Sequence, residues 1–206
     1  MKQPIKKIIN TMMQTAVFAL IITGCQKTQT SLRNSSLNEA NTVRAPVQCA
    51  GNIPAILNVP KGNKLASQLY ATGVQIYQVQ PSTADPATFK WVLVGPLATL
   101  YVNEDYTNPV GNHYAGPTWE FKKGFNKGEK IVAKKTQEAS VDATAVPWLL
   151  LTAVDSLSSA NNKVTFVQRV CTTGGLAPTS GADEAHLGLY DSIPYTATYL
   201  FYTAKH

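Results

Sequence analysis

Apolar side chains occupy every second position in several segments of this chain, a spacing that predicts β-strands rather than helices. Residues 73–80, 163–171 and 195–203 show this alternation most clearly. Further strands are predicted at Leu65–Ala71, Trp91–Val94, Leu97–Val102, Trp119–Phe121, Lys130–Lys134 and Trp148–Val154. Clusters of Gly, Pro, Asn and Asp separate these segments, and no amphipathic helix longer than about two turns is evident. We predict an all-β fold, a single antiparallel β-sandwich or β-barrel of about eight or nine short strands.

The N-terminus carries a predicted export signal. Residues 1–7 are basic and residues 12–22 are mostly apolar, which is too short a run for a spanning helix of about 20 residues. The segment that follows, Ile22-Thr23-Gly24-Cys25, resembles the bacterial lipobox. This resemblance implies cleavage between Gly24 and Cys25 and acylation of Cys25, so that membrane lipid is the expected partner. Gln26 in place of Asp implies the outer membrane in a double-membrane bacterium, and otherwise the outer face of the plasma membrane.

The remaining chain divides by composition into a tether and one domain. Residues 25–48 are rich in Asn, Ser, Thr and Gln, and we interpret them as the lipidated cysteine and a flexible tether, with a short helix at residues 32–43 as the alternative. With residues 1–24 as the signal peptide, residues 49–206 form the predicted β domain. The formal charge is +6, and three of the lysines lie in the signal segment. This small excess and the export signal argue against nucleic acid as a partner.

Two cysteines remain for the domain once Cys25 is lipidated. Cys49 lies at its start and Cys171 at the end of a predicted strand. An oxidising compartment makes a bridge between them plausible, with two unpaired thiols as the alternative. In the chain-entropy model such a long loop would stabilise the fold by roughly 4–5 kcal/mol.

The segment 111–120 holds the densest set of candidate functional residues. His113 and Glu120 flank a Gly-Pro turn, across which they could face each other as a base and its orienting partner. Tyr114 and Trp119 add aromatic surface to a possible ligand site. The alternative is structural, with a turn at Gly116-Pro117 and Trp119 in the core. His-x6-Glu also fits two metal ligands, but no third ligand is evident, so no metal site is predicted.

A second candidate group combines amide, phenol and guanidinium side chains on predicted strands. Gln168 falls on the same strand face as Val164 and Phe166, and a buried Gln needs hydrogen-bond partners, which Gln75 and Tyr77 could supply. With Arg169 beside them, these residues line either a ligand cavity or a structural polar network.

Other patterns carry less information about function. The stretch 122–135 contains six lysines and one acidic residue, which fits an anionic envelope polymer or a solvated hairpin. The chain lacks G-x-S-x-G, G-x-G-x-x-G, P-loop and Cys-x-x-Cys motifs, so serine-hydrolase and nucleotide-dependent chemistry of the common types are unsupported. We predict no cofactor.

Several of these motifs, taken in order, resemble the domain-of-unknown-function 3455 family of exported bacterial and fungal proteins. The resemblance covers about residues 54–202 and rests on VPKG at 59–62, ATGVQIY at 71–77, HYAGPTWE at 113–120, VPWLLL at 146–151, VQRV at 167–170, TGGLAP at 173–178 and YTA at 195–197 with Tyr199, Phe201 and Tyr202. It implies export and a mainly β domain, and it assigns no activity. Many members carry cysteines where this chain has Val79 and Ala182. By this resemblance the chain lacks that bridge, and Cys49 and Cys171 either form a relocated bridge or are unpaired.

Three functional hypotheses follow. The first is a lipid-anchored, non-catalytic domain that binds a small molecule, a glycan or an envelope component through residues of the two candidate groups. The second is a hydrolase or isomerase that uses His113 as base with Glu120 as its orienting partner. The third is a purely structural envelope protein.

Overall fold

The computed structural model describes residues 51–156 and 163–205, which contain eight β-strands closed into an antiparallel barrel. The strands are β1 (Asn63–Pro81), β2 (Phe89–Tyr101), β3 (Pro109–Tyr114), β4 (Thr118–Phe121), β5 (Lys130–Ala139), β6 (Trp148–Ser156), β7 (Val164–Gly174) and β8 (Tyr190–Ala204). Each strand pairs with the next, and β8 pairs with β1 to close the sheet. The predicted all-β antiparallel fold is confirmed, and of the two predicted architectures the structure is a barrel. The signal segment, Cys25, the tether and Cys49 lie outside the described residues.

Two pairs of predicted strands are continuous in the structure. The segments 65–71 and 73–80 form β1, which runs through Gly73 without interruption. The segments 91–94 and 97–102 form most of β2, and the Gly95-Pro96 pair that suggested a break lies next to a register shift between Ile76 and Tyr77 on β1. A β-bulge accommodates such residues while the ladder continues on both sides.

Strand β3 was not predicted, because its sequence PVGNHY contains Pro, Gly and Asn, which are typical of turns. Gly111 is required for close strand pairing here and not for a turn. A Cβ atom on Gly111 would lie 2.3 Å from the carbonyl oxygen of Glu120 on β4, so only glycine permits this close pairing. The resulting ladder places His113 opposite Trp119 and Asn112 opposite Glu120.

The barrel interior is apolar and aromatic at one end. Phe121 packs edge-on against Phe125 and Phe201, with ring centroids 6.0 and 5.5 Å apart, and Trp119 lies 6.0 Å from Phe201. Buried aliphatic residues from other strands complete this packing: Leu69, Leu100, Val110, Ile131, Val164 and Val167. The side chains therefore fill this end of the barrel, as is usual for an eight-stranded barrel.

A second apolar cluster lies outside the barrel wall. A 3-10 turn at Ala55–Leu57 places Leu57 against Trp148, Leu150, Val170 and Leu200, which are outward-facing residues of β6, β7 and β8. The cluster covers part of the outer surface of the sheet, so these strands bury side chains on both faces. Continuous burial along 167–170 of β7 follows from this cover.

The up-and-down topology places four connections at one end of the barrel. These connections join β1 to β2, β3 to β4, β5 to β6 and β7 to β8. The longest, between β7 and β8, contains a second 3-10 turn at Glu184–His186. The loop before β6 is fixed to β7, because the Val146 amide donates to the Gly174 carbonyl at 2.9 Å and the Thr172 hydroxyl donates to the Val146 carbonyl at 2.6 Å.

Candidate functional site

A cavity of about 500 Å³ opens among these four connections. Its volume falls within the range of small-molecule sites. Aliphatic and aromatic side chains form most of the wall, and a few polar groups converge on it. The lining residues are Gln75, Tyr77, Leu93, Pro96, His113, Pro117, Trp119, Lys135, Glu138, Val146, Pro147, Leu149, Leu151, Arg169, Leu176, Ala177 and Tyr199.

Gln75 projects from β1 into the cavity and is completely buried, with an exposed fraction of 0%. Neither its amide nitrogen nor its amide oxygen has a hydrogen-bond partner among the described residues. Native proteins seldom bury a polar side chain without partners, since each unsatisfied group costs about 1–3 kcal/mol. The Gln75 amide is therefore an unpaired polar group in the cavity wall.

His113 and Trp119 line the cavity as a stacked pair. Their rings are nearly parallel, with centroids 4.5 Å apart, and the ring of Tyr199 meets both edge-on at 4.9 and 5.4 Å. The His113 Nδ1 atom lies 2.8 Å from the Thr118 carbonyl oxygen, which can only accept, so Nδ1 carries the proton. The indole N–H of Trp119 is buried without a partner among the described residues.

The environment of His113 keeps its imidazole neutral. Burial lowers the pKa of His113 from 6.5 to about 3; the hydrogen bond to Thr118 opposes this shift, and the positive charge of Arg169 adds to it. With the proton on Nδ1, the Nε2 atom of a neutral ring is a hydrogen-bond acceptor. The residue can accept a hydrogen bond at neutral pH and is a weak base.

Arg169 supplies a positive charge to the cavity wall from β7. Its side chain is 9% exposed, and its Nε and Nη2 atoms donate to the Pro147 carbonyl at 3.1 and 2.8 Å. Within the described ranges, the ion pairs join Lys135 to Glu138 and His186 to Asp183, so no carboxylate there neutralises Arg169. An arginine side chain stays charged under all ordinary conditions.

Three tyrosines near Arg169 are neutral hydrogen-bonding groups. Burial raises the pKa of Tyr77, Tyr195 and Tyr199, and the nearby guanidinium of Arg169 opposes this shift in each case. The Tyr77 hydroxyl donates to the Gly175 carbonyl at 2.6 Å, and the hydroxyls of Tyr195 and Tyr199 lie 3.5 Å apart. None of them supplies a negative charge to Arg169.

The mouth of the cavity combines an ion pair with exposed apolar residues. Lys135 and Glu138 on β5 are half-exposed and bonded at 2.6 Å. Leu93 and Leu176 are also about half-exposed at the mouth. An apolar molecule therefore meets apolar surface before it reaches the buried polar groups.

The predicted pairing of His113 with Glu120 is wrong. In the β3–β4 ladder His113 is opposite Trp119, and both side chains point into the barrel. Glu120 is the next residue along β4 and therefore lies on the outer face, where Tyr114 donates to its carboxylate at 3.4 Å. Tyr114 and Glu120 are thus absent from the cavity wall.

The predicted contact of Gln168 with Gln75 and Tyr77 is also wrong. Gln168 is 2% exposed, but it points away from the barrel interior, into the outer cluster. Its Nε2 atom donates to the Leu57 carbonyl at 2.7 Å, and its Oε1 atom accepts from the Tyr202 hydroxyl at 2.7 Å. Gln168 fixes the segment around Leu57 to the barrel, whereas its neighbour Arg169 faces the cavity.

Several residues of the site were not predicted from the sequence. Tyr195 and Tyr199 lie on the inward face of β8 with Phe201. The alternation in 195–203 predicts that they share one strand face, but it does not indicate that this face belongs to the site. The Pro147 carbonyl and the carbonyl of Gly175 belong to loops, which the strand pattern does not describe. The candidate lysines at 122, 123, 127, 130, 134 and 135 are all exposed, and of these only Lys135 lines the cavity.

Cys171 lies at an irregular point of β7 and is disulfide-bonded. Its φ angle of 52° is unusual for a residue with a side chain. Its predicted partner Cys49 falls outside the described ranges, so the pairing of these two cysteines stays a prediction.

Within residues 51–156 and 163–205, no group of three or more His, Cys, Asp or Glu side chains could hold a metal ion. No helix in the same ranges has the length and apolar character needed to cross a membrane.

The sequence model of the family described as "Protein of unknown function (DUF3455)" matches residues 60–203. The match spans the barrel from β1 to the penultimate residue of β8. The chain belongs to the DUF3455 family. The resemblance found in the sequence motifs is confirmed, and the described part of this DUF3455 protein is an eight-stranded barrel with a cavity at one end.

Among solved structures, this DUF3455 chain is similar to the pterocarpan synthase dirigent protein. The two share 13% sequence identity with a TM-score of 0.38, and the similarity covers 72% of this chain and 91% of the dirigent protein. Comparison with curated proteins gives no match.

Proposed function

We propose that this DUF3455 protein is a lipid-anchored protein of the cell envelope that binds a small molecule in its barrel cavity without transforming it. The observation that carries the proposal is Gln75, which lines the cavity and whose completely buried amide has no partner among the described residues. A ligand would supply the missing hydrogen bonds. The apolar wall around this amide matches the usual composition of a small-molecule site.

The cavity favours a binding function over a purely structural one. A structural barrel of this size gains stability when its interior is filled and its polar groups are paired. At this end of the barrel, Gln75 and the Trp119 indole are both buried without partners in the described part of the chain, and Arg169 has no counter-ion there. All three residues line the same cavity. The free-energy cost of burying their polar groups without partners is explained if a ligand pairs with these groups.

The same geometry disfavours His113 as a general base. An efficient general base has a pKa near the working pH, whereas burial lowers the pKa of His113 to about 3. Its expected orienting partner Glu120 is on the opposite face of the sheet, and its Nδ1 proton is bonded to a backbone carbonyl instead. His113 is therefore proposed as a hydrogen-bond acceptor and stacking surface for the ligand.

A screen of small molecules and glycans against the full-length chain tests the binding proposal. Binding is followed by ligand-observed NMR and ranked for the wild type and two cavity variants, His113→Ala and Trp119→Ala. We expect hits that both variants weaken at least ten-fold. Trp91→Phe is the matched control, because the Trp91 indole bonds to the Ser180 carbonyl outside the cavity. A screen without any hit that both variants weaken would refute the proposal.

The lipid anchor is proposed from the predicted signal segment and its lipobox-like sequence around Cys25. Two or three acyl chains on this residue would attach the protein stably, since each buried methylene contributes about 0.8 kcal/mol. Fractionation of cells that express the wild type or Cys25→Ser tests the anchor. We expect the wild type in the membrane fraction and unprocessed or soluble protein for the variant; equal membrane attachment of both would contradict acylation at Cys25.

A further inference from the structure

We infer that the ligand of the cavity is a monocarboxylate with an apolar body, and that Arg169 binds its carboxylate. The inference rests on the proposed binding function and names its ligand class. It starts from a buried cation: the Arg169 side chain is nine-tenths buried, lines the cavity and lies within 4 Å of no carboxylate in the described ranges.

A buried guanidinium without a counter-ion is costly, because a charge loses the solvation of water. The Pro147 carbonyl accepts from Nε and Nη2 and thereby offsets part of this cost, but it contributes no negative charge. It also holds the guanidinium plane in place on one side. The Tyr199 hydroxyl also interacts with the guanidinium. A carboxylate matches the N–H donors that remain, and such charge-assisted bonds are roughly twice as strong as neutral ones.

The surroundings of Arg169 favour a single negative charge. His113 is neutral, since burial lowers its pKa to about 3, and the neighbouring tyrosines keep their protons. Lys135, the other cation of the lining, is half-exposed at the mouth and already paired with Glu138. With one unpaired cation, the cavity neutralises one charge, and a phosphate or a dicarboxylate would bring an excess of negative charge.

The rest of the cavity favours an apolar ligand body. Val146, Leu149 and Leu151 line the cavity together with the stacked rings of His113 and Trp119. Gln75 supplies one further hydrogen-bonding group, which can bind the second carboxylate oxygen or a polar substituent. A carboxylate on an aromatic or aliphatic body therefore satisfies the polar and apolar parts of the cavity together.

Matched pairs of ligands test this inference in the full-length chain. Benzoate, 2-naphthoate and decanoate are each titrated against the corresponding primary amide by isothermal calorimetry. The amides keep shape and size but lack the charge. We expect at least one carboxylate to bind ten-fold or more tightly than its amide, the effect of one charge-assisted hydrogen bond. This comparison needs no variant, so a folding defect cannot obscure it.

Two variants then locate the charge that is recognised. Arg169→Met should reduce the preference for the carboxylate to less than three-fold, whereas Lys134→Met, which removes an exposed lysine outside the cavity wall, should leave it unchanged. If amides bind as well as carboxylates, or if Arg169→Met retains the preference, the inference is overturned while the binding proposal stands. If no member of either set binds, the inference is overturned, and the screen of small molecules and glycans decides separately whether the cavity binds another class of molecule.

Discussion

Replacing Gln75 with leucine should stabilise the protein, although glutamine is the native residue. Gln75 is completely buried, and neither amide atom has a partner in the described part of the chain. Leucine has a similar volume and carries no polar group, so the substitution removes an unsatisfied amide that costs about 1–3 kcal/mol. The free energy of unfolding should rise by about this amount, and the melting temperature by roughly 2–4 °C per kcal/mol. Ligand binding should weaken at the same time.

Gln168→Leu is the matched control, because it is the same substitution at an equally buried position on the opposite face of the sheet. Gln168 is 2% exposed and both ends of its amide are bonded, to the Leu57 carbonyl and the Tyr202 hydroxyl. Its loss leaves two buried groups unpaired, so we expect a destabilisation of about 1–3 kcal/mol. Urea unfolding at pH 7 measures both variants. If Gln75→Leu destabilises as much as Gln168→Leu, the Gln75 amide has structural partners and the reasoning fails.

Three further predictions concern pH, backbone packing and the disulfide. The pKa of His113 is about 3 in the folded state and 6.5 in the unfolded state, so the unfolded state binds more protons in between and stability falls as pH decreases. From pH 6.5 to 4.5 the wild type should lose about 2 kcal/mol more than His113→Phe in urea titrations; parallel losses would contradict the low pKa. Gly111→Ala places a Cβ atom 2.3 Å from a carbonyl oxygen and should lower the free energy of unfolding by about 3 kcal/mol. The control is Gly124→Ala, where nothing lies within 4 Å of the added Cβ atom and the expected loss is about 1 kcal/mol. Equal losses for the two variants would refute the close approach at Gly111. Mass spectrometry after alkylation in denaturant should show Cys49 and Cys171 modified only after reduction, and their modification without reduction would contradict the pairing.

The strand pattern predicted most of the fold because the period of two reflects which face of a strand is buried. The alternation in 195–203 placed Tyr195, Tyr199 and Phe201 on one face, and these residues do face the barrel interior. Where the pattern failed, local residue preference conflicted with long-range pairing. From the sequence, Gly111 indicates a turn. In the structure it allows β3 and β4 to approach closely, and this role is evident only from its contact with β4.

The candidate site was predicted in part for the same reason. Gln75 and Tyr77 were predicted as candidate residues from one strand, and both line the cavity. The pairing of His113 with Glu120 failed because hairpin register decides which residues face each other, and a shift of one residue moves a side chain to the other face. Gln168 was expected in the interior because it alternates with Val164 and Phe166. A register shift between Val164 and Phe166 puts Gln168 on the outer face instead, where its amide bonds to the Leu57 carbonyl.

Whether the cavity holds the ligand is decided by the side-chain amide resonances of Gln75, assigned by their loss in Gln75→Leu. These resonances are followed in a ¹⁵N NMR titration with the tightest-binding compound of the screens, with the Gln168 amide as the internal reference. We predict that the Gln75 resonances shift until saturation while those of Gln168 stay in place. If the Gln75 resonances do not move at saturating ligand, the molecule binds elsewhere and the cavity is not the site.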